Sequence, residues 1–157
     1  MAIRIIEISS NDRPDLVESI ISLLLEQMKV LGKDHSAEEI RSAVINALKP
    51  ESRGLFFIAY GDDNPTETEP AGFCFINICS GIEAGGDYVW INEIHTRADR
   101  RSQGVGLALV KHVIDWGEKN NCRYIAGITS LKNRAARNLF AHYGFNDNQV
   151  IWLDKTL

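Results

Sequence analysis

Three strand-like segments follow one another between residues 55 and 96 with no helical segment among them, and this succession restricts the fold more than any other feature. Their sequences are LFFIAY (55–60), AGFCFINIC (71–79) and YVWINEIHT (88–96). Consecutive strands of this kind pair antiparallel. A helix-like segment that ends near Asn120 and a strand-like RYIAGIT (123–129) come next, and a strand–helix–strand unit requires a parallel pair with a right-handed crossover. The chain is therefore predicted to form a mixed α/β sheet.

The remaining segments complete a predicted order of β-α-α-β-β-β-α-β-α-β in one domain, residues 1–157. They are a strand at 3–8, a helix that ends at Gly32, a helix from Ser36 to Pro50, a helix from Asn133 to Tyr143 and a last strand, QVIWLD, at 149–154. Ser36 and Glu39 have the spacing of a capping box, which supports a helix start at that point.

Composition and charge argue against several classes of protein. The chain has 45% hydrophobic and 24% charged residues and a net charge of −4, which is ordinary for a soluble globular protein and does not favour nucleic-acid binding. No apolar run approaches the roughly 20 residues that cross a bilayer, and the N-terminus is too short and acidic for a signal peptide, so the expected location is the cytoplasm with no membrane partner. The three cysteines form no C-x-x-C pair, and no metal site is predicted.

The charges are unevenly distributed, with basic clusters at 97–101 and 132–137. Such clusters indicate either local anion binding or solvated faces. The first leads into Gly104 and Gly106, which open a predicted helix, and the free N–H groups of a helix's first turn favour a phosphate or pyrophosphate. This Gly-x-Gly is not a dinucleotide fingerprint, because Leu109 occupies the third glycine position. It is not a P-loop either, because no Gly-Lys-Ser/Thr follows.

Two spaced motifs resemble the GNAT superfamily of acetyl-CoA-dependent N-acetyltransferases. Arg101-Ser102-Gln103-Gly104-Val105-Gly106 fits the superfamily signature (Arg/Gln)-x-x-Gly-x-(Gly/Ala). NRAARNLFAHYGF (133–145) is similar to the block Asn-x-x-Ala-x-x-(Leu/Phe)-Tyr-x-x-x-Gly-Phe. The order of strands and helices also agrees over nearly the whole chain. The resemblance implies a V-shaped split between the fourth and fifth strands, in which acetyl-CoA lies.

The resemblance also implies which residues hold acetyl-CoA as the acyl donor. Main-chain groups of the fourth strand would pair with the pantetheine, and Asn133 would hydrogen-bond the arm of the cofactor. The main-chain amides of the glycine turn, from Gln103 to Leu107, would hold the pyrophosphate. The expected cofactor-binding residues are Ile94, His95, Thr96, Arg101, Ser102, Gln103, Gly104, Val105, Gly106, Leu107 and Asn133. The cations expected near the phosphates are Arg97, Arg100, Lys132 and Arg134.

Glu93 is the predicted general base, because amine acetylation needs a route that removes a proton from the amine. Its strand neighbours Trp90, Ile91 and Ile94 are apolar, and partial desolvation would raise the pKa of the carboxyl group toward a useful value. The alternatives are a structural carboxylate or one that orients the substrate. His95, on the same face of an ideal strand, is a second candidate base or a satisfied strand-end histidine.

The general acid is less well defined, because the tyrosine that usually lies seven residues after the conserved Asn is here Phe140. Tyr143, three residues further on the same helix, is either a replacement acid or a packing residue. If it does not serve, water would protonate the thiolate, and a main-chain N–H near His95 would donate to the oxyanion. His35, between the first two helices, is a candidate substrate contact.

The predicted acceptor is a primary amine of a small molecule or peptide. Direct transfer in a ternary complex is favoured, because no cysteine has a supporting Cys-His spacing. The acidic loop 61–69, together with Glu83 and Asp87, would attract a cationic amine. Two other interpretations stay open: a non-catalytic acyl-CoA-binding sensor, supported by Phe140, and an acyltransferase with a longer acyl chain or an alcohol acceptor. Members of the superfamily often dimerise, so a homodimer is also considered.

Overall fold

The computed structural model describes residues 2–61 and 69–157 and has a mixed α/β architecture. The described elements follow the order β-α-α-β-β-β-α-β-α, with single turns of 3-10 helix at Pro50–Ser52 and Ala98–Arg100. The elements are β1 (Ile3–Ile8), α1 (Pro14–Val30), α2 (Ala37–Ala47), β2 (Gly54–Gly61), β3 (Gly72–Gly81), β4 (Gly86–Thr96), α3 (Val105–Lys119), β5 (Ile125–Gly127) and α4 (Arg134–His142).

The five described strands form one sheet, in the order β1-β2-β3-β4-β5. β1 to β4 pair antiparallel, and β4 pairs with β5 parallel across α3, so both predicted types of pairing are confirmed. The parallel pairing joins only Val89–Ile91 to Ile125–Gly127, although β4 continues to Thr96. The sheet therefore opens between β4 and β5 after Ile91.

Helices pack on both faces of the sheet. α1 and α2 cover one face, where Ile20, Phe56 and Phe73 belong to one buried cluster. α3 covers the other face, where Phe57 and Leu109 belong to a second cluster. Because β2 lies between these layers, all eight of its residues are buried, which explains why its sequence is a continuous apolar run.

The start of α2 shows how local sequence fixes the turn between the first two helices. The Ser36 hydroxyl accepts the Glu39 main-chain N–H at 3.2 Å, and the Glu39 carboxylate accepts the Ser36 main-chain N–H at 2.8 Å. This reciprocal pair is the capping box that the sequence predicts. Among the described residues, no helix is both long and apolar enough to span a membrane.

The predicted last strand is wrong, because residues 149–154 form neither helix nor strand and residues 146–157 are all exposed. The run Val150–Leu153 has the composition of a buried strand. A strand also needs a neighbour for its main-chain groups, and the paired part of β5 is only three residues long. The strand predicted at 123–129 is also shorter in the structure, where only Ile125–Gly127 pairs with β4.

Candidate active site

A β-bulge in β4 decides which way Glu93 faces. Phe75 pairs with Glu93 and Ile76 pairs with Ile91, so Asn92 is one extra residue on the β4 side. In a regular strand Glu93 would share the face of Ile91, which belongs to the cluster under α3. The bulge instead places Glu93 opposite Phe75, on the face covered by α1.

Glu93 is half-buried and hydrogen-bonded to α1. Its Oε2 atom accepts from Nε2 of Gln27 at 2.7 Å. Burial raises the pKa of the Glu93 carboxyl group, while the Gln27 hydrogen bond and the positive charge of Lys33 oppose that rise. A carboxyl group with a raised pKa is closer to the proton affinity that a general base needs near neutral pH.

Gln27 is a site residue that the sequence interpretation missed. It lies on the buried stripe of α1, four residues after Leu23 and one before Met28, and only 8% of it is exposed. Its amide oxygen is buried and has no hydrogen-bond partner among the described residues. A polar residue within an otherwise apolar helical stripe was the available signal, because such a side chain needs a buried partner.

His95 is also held by α1, through the residue next to Gln27. His95 is 7% exposed, and its Nε2 atom lies 3.1 Å from Oε1 of Glu26. The same Glu26 oxygen accepts the main-chain N–H of Ala98 at 3.1 Å. Burial lowers the pKa of His95, and Glu26 opposes that shift. Because a carboxylate can only accept, Nε2 carries the proton, which leaves that nitrogen unable to act as a base.

The second half of β4 exposes main-chain groups to the opening in the sheet. The Arg97 N–H donates to the Ala71 carbonyl at 2.9 Å, on the side of β3. Alternation along the strand then directs the N–H and C=O groups of Ile94 and Thr96 away from β3, toward the side that β5 leaves open. The Thr96 carbonyl faces Nε of Arg101 there, at 3.5 Å.

The turn after β4 presents the first amides of α3. Gly104 is the N-cap residue with φ of +85°, a conformation that strains any residue with a Cβ atom, and a Cβ there would have Ile3 as its nearest neighbour at 4.0 Å. No side chain caps this described helix and its first turn holds no acid, so the amides and the positive end of the dipole face outward. Ser102 also has a positive φ, of +60°.

Gly106 lies where α3 and α4 pack against each other. A Cβ atom on Gly106 would lie 3.3 Å from Cδ2 of Leu139, so its missing side chain allows α4 to pack against α3. The exposed amides of the turn are therefore positioned by packing on α4 as well as by the conformation of Gly104.

Arg97 is engaged by acids of the protein itself. Its guanidinium contacts the carboxylates of Asp99 at 2.7 Å and Glu69 at 2.8 Å, and its side chain is 21% exposed. An arginine paired twice has little positive charge left for an external phosphate. Arg101 and Gln103 lie in the exposed turn itself, where the Gln103 amide donates to the Asp99 carbonyl at 3.1 Å.

The remaining predicted residues have identifiable contacts. Oδ1 of Asn133 caps α4 by accepting the Ala136 N–H at 3.1 Å. The Tyr143 hydroxyl donates to the Leu107 carbonyl at 2.9 Å, which ties α4 to the first turn of α3. Phe140 packs against the core cluster under α3 and against Phe145, with 5.1 Å between ring centroids.

The acidic groups expected to attract a cationic amine lie mostly outside the described residues or, in the case of Asp87, far from Glu93. Most of the acidic loop, residues 62–68, lies outside the described residues. Asp87 pairs with Arg53 at 2.5 Å and lies six residues from Glu93, or roughly 20 Å along the strand, so it does not serve this site. His35 is exposed in the α1–α2 turn, with its Nδ1 atom 3.9 Å from Oε2 of Glu39.

Sequence comparison matches residues 17–145 to the Acetyltransferase (GNAT) family. An uncharacterised N-acetyltransferase of Methanocaldococcus jannaschii, MJ1207, is 30% identical over 89 residues. That match covers 54% of this chain and 39% of the relative, so the chain matches well under half of the relative's length.

Solved structures with low sequence identity share the fold. Aminoglycoside N-acetyltransferase AAC(6')-Iy in complex with CoA has a TM-score of 0.76 at 20% identity, over 99% of this chain and 96% of that chain. Ribosomal-protein-alanine N-acetyltransferase from Brucella melitensis has a TM-score of 0.77 at 14% identity, over 99% of this chain and 100% of that chain.

Proposed function

Because the chain belongs to the Acetyltransferase (GNAT) family, we propose that it transfers an acetyl group from acetyl-CoA to a primary amine. The acceptor is a small molecule or a peptide N-terminus, transfer is direct within a ternary complex, and one domain of residues 1–157 carries the site. A cytoplasmic location stays a prediction, as does dimerisation.

The observation that carries the proposal is the position of Glu93. A half-buried carboxyl group lies in β4 one residue before Ile94, whose main-chain groups face the open side of the sheet. β4 then leads into the turn that presents the first amides of α3. An acid, a line of main-chain donors and an anion-binding helix start therefore follow one another along 15 residues, 93–107.

Each feature has a role in the proposed chemistry. Acetyl-CoA supplies the activated thioester. The amides of Gln103 to Leu107 bind its pyrophosphate, while Ile94 and Thr96 pair with its pantetheine arm. Asn133, already fixed as the cap of α4, lies on the neighbouring helix to contact that arm.

Glu93 takes a proton from the amine, directly or through a water molecule, as the nitrogen attacks the thioester carbonyl. The C–N bond forms as the carbonyl becomes an oxyanion, to which the Ile94 N–H donates, and the C–S bond then breaks. Water protonates the departing thiolate, because Phe140 has no proton to give and the Tyr143 hydroxyl is bonded to Leu107. A thiol is a good leaving group near neutral pH, so this step needs little assistance.

A thermal melt with and without acetyl-CoA tests the cofactor site. At a hundredfold excess over Kd, binding should add about 2.7 kcal/mol of stability, or roughly 5–10 °C in Tm. Gly104→Glu should abolish the increase, because it places a carboxylate at the anion site. Gly85→Glu is the matched control: Gly85 also has a positive φ and open surroundings, but lies in the β3–β4 turn. No increase for the wild type at millimolar acetyl-CoA would overturn the proposal.

Glu93→Gln then separates an enzyme from a non-catalytic acyl-CoA sensor. The variant should keep the acetyl-CoA-dependent rise in Tm and lose roughly 10²- to 10⁴-fold in rate. Thiol release is measured with polyamines, an aminoglycoside and a peptide with an N-terminal alanine. The last two are chosen because structural neighbours are named for such acceptors. Propionyl- and succinyl-CoA as donors, and an alcohol as acceptor, test the other acyltransferase interpretation.

A further inference from the structure

We propose that Gln27 is a positioning residue that holds Glu93 in both protonation states, with its amide NH2 group when Glu93 is ionised and its amide oxygen when Glu93 is protonated. The inference rests on the proposed function, in which Glu93 accepts the proton of the amine. It assigns a residue of α1, 66 positions away in sequence, to the catalytic step.

The hydrogen bond in the structure is the one that an ionised Glu93 requires. Nε2 of Gln27 lies 2.7 Å from Oε2 of Glu93, in the range of a charge-assisted bond. Gln27 lies within the packed stripe of α1 between Leu24 and Met28, so its stem has little freedom to move. The bond therefore fixes one carboxylate oxygen and leaves Oε1 of Glu93 for the substrate amine.

The oxygen of the Gln27 amide indicates a second hydrogen-bonding state, with Glu93 protonated. Its oxygen is buried and accepts no hydrogen bond from the described residues, which is rare for a buried polar atom. When Glu93 takes a proton it gains an O–H donor beside this amide. The terminal torsion of glutamine is broad and roughly two-fold, so a half-turn exchanges the oxygen and the NH2 group without moving the stem. The unpartnered oxygen then accepts from the Glu93 O–H.

The other charged or titratable groups around Glu93 cannot replace Gln27 as its hydrogen-bond partner. His95, on the same face of β4, and Glu26, beside Gln27 on α1, already face each other at 3.1 Å. Lys33, in the turn after α1, is exposed and acts on Glu93 through charge alone. Cys74 of β3 lies in the cluster under α3, on the opposite face of the sheet.

A glutamine also suits a base that must be both ionised and protonated in each turnover. A lysine in this place would hold Glu93 ionised and make it a poor proton acceptor, whereas an apolar residue would leave burial unopposed. The neutral amide supports each form in turn, since it both donates and accepts.

Gln27→Met tests the proposal, because methionine has nearly the same length and volume but no amide. Leu24→Met is the matched control, since it places the same side chain at a buried position of the same helix. The ¹³C signal of the Glu93 carboxyl group, followed by NMR against pH, should titrate about one pH unit higher in Gln27→Met and unchanged in Leu24→Met. The lower limb of the kcat/KM profile should move by the same interval, with a loss on the order of tenfold at pH 7.

The wild-type protein provides a test that needs no variant. The ¹⁵N–¹H signals of the Gln27 side-chain amide should shift with the same midpoint as the Glu93 carboxyl signal. An unchanged Glu93 titration in folded Gln27→Met, or constant Gln27 amide signals across that titration, overturns the inference. Failure of the proposed function appears differently, as full activity in Glu93→Gln, and leaves these NMR outcomes readable.

Discussion

At the scale of single residues, burial of the Glu93 carboxyl group makes the stability of the fold depend on pH. Burial raises the pKa of this carboxyl group in the folded chain above its ordinary value of 4.5. The folded state then binds more protons than the unfolded state between the two pKa values, so this group's contribution to stability falls as pH rises through that window. Glu93→Gln does not titrate. Its Tm relative to the wild type should therefore rise from pH 4 to pH 7, as measured by calorimetry; a constant difference would contradict the burial argument.

Tyr143 gives a second prediction at this scale. Its hydroxyl donates to the Leu107 carbonyl, so Tyr143→Phe should cost about 1 kcal/mol of stability, or roughly 2–4 °C in Tm. The value of kcat should change less than about threefold, because thiolate protonation is not demanding. A tenfold loss of kcat at unchanged Tm would identify Tyr143 as the general acid instead. Phe140→Tyr, which adds a hydroxyl at the family's usual tyrosine position, is the reciprocal variant.

At the scale of elements, the capping box of α2 should be measurable by itself. Ser36→Ala removes the hydroxyl that accepts the Glu39 N–H and should cost about 1 kcal/mol. Ser42→Ala makes the same substitution at an exposed interior position of α2, where alanine has the better helix propensity and a gain of up to about 0.5 kcal/mol is expected. Urea unfolding of both variants measures this difference. Equal effects would show that the cap is not what stabilises the start of α2.

The elements also show what sequence could and could not predict. The capping box, the three central strands and the glycine turn depend on neighbouring residues, and all were predicted from local pattern. The bulge at Asn92 and the Gln27–Glu93 bond depend on which strand and helix meet, across separations that no local pattern records. Glu93 was chosen on its position in the fourth strand, but a regular strand would have turned its side chain toward α3.

At the scale of the whole molecule, the segment 149–154 lies outside both cores. Ile151 is 88% exposed and Leu153 85%, so replacing both with serine should leave Tm within about 1–2 °C of the wild type. Ile58→Ser, at a fully buried position of β2, should instead destabilise the chain severely. Thermal melts compare the two. A large loss in the double variant would show that this segment packs as the strand expected from its sequence.

The hydrogen bond from the Ala98 N–H to Glu26 makes hydrogen exchange at Ala98 a measure of local opening. Ala98 lies in the turn that leads from β4 to α3, yet its N–H is held by a carboxylate from α1. Deuterium should therefore enter this amide only as often as α1 lifts from the strand. The exchange rate of the Ala98 amide therefore measures how often α1, the helix that covers Glu93, separates from the turn at the start of α3. If acetyl-CoA alone slows the exchange, binding of acetyl-CoA closes this opening. If the amine is required, binding of the amine closes it.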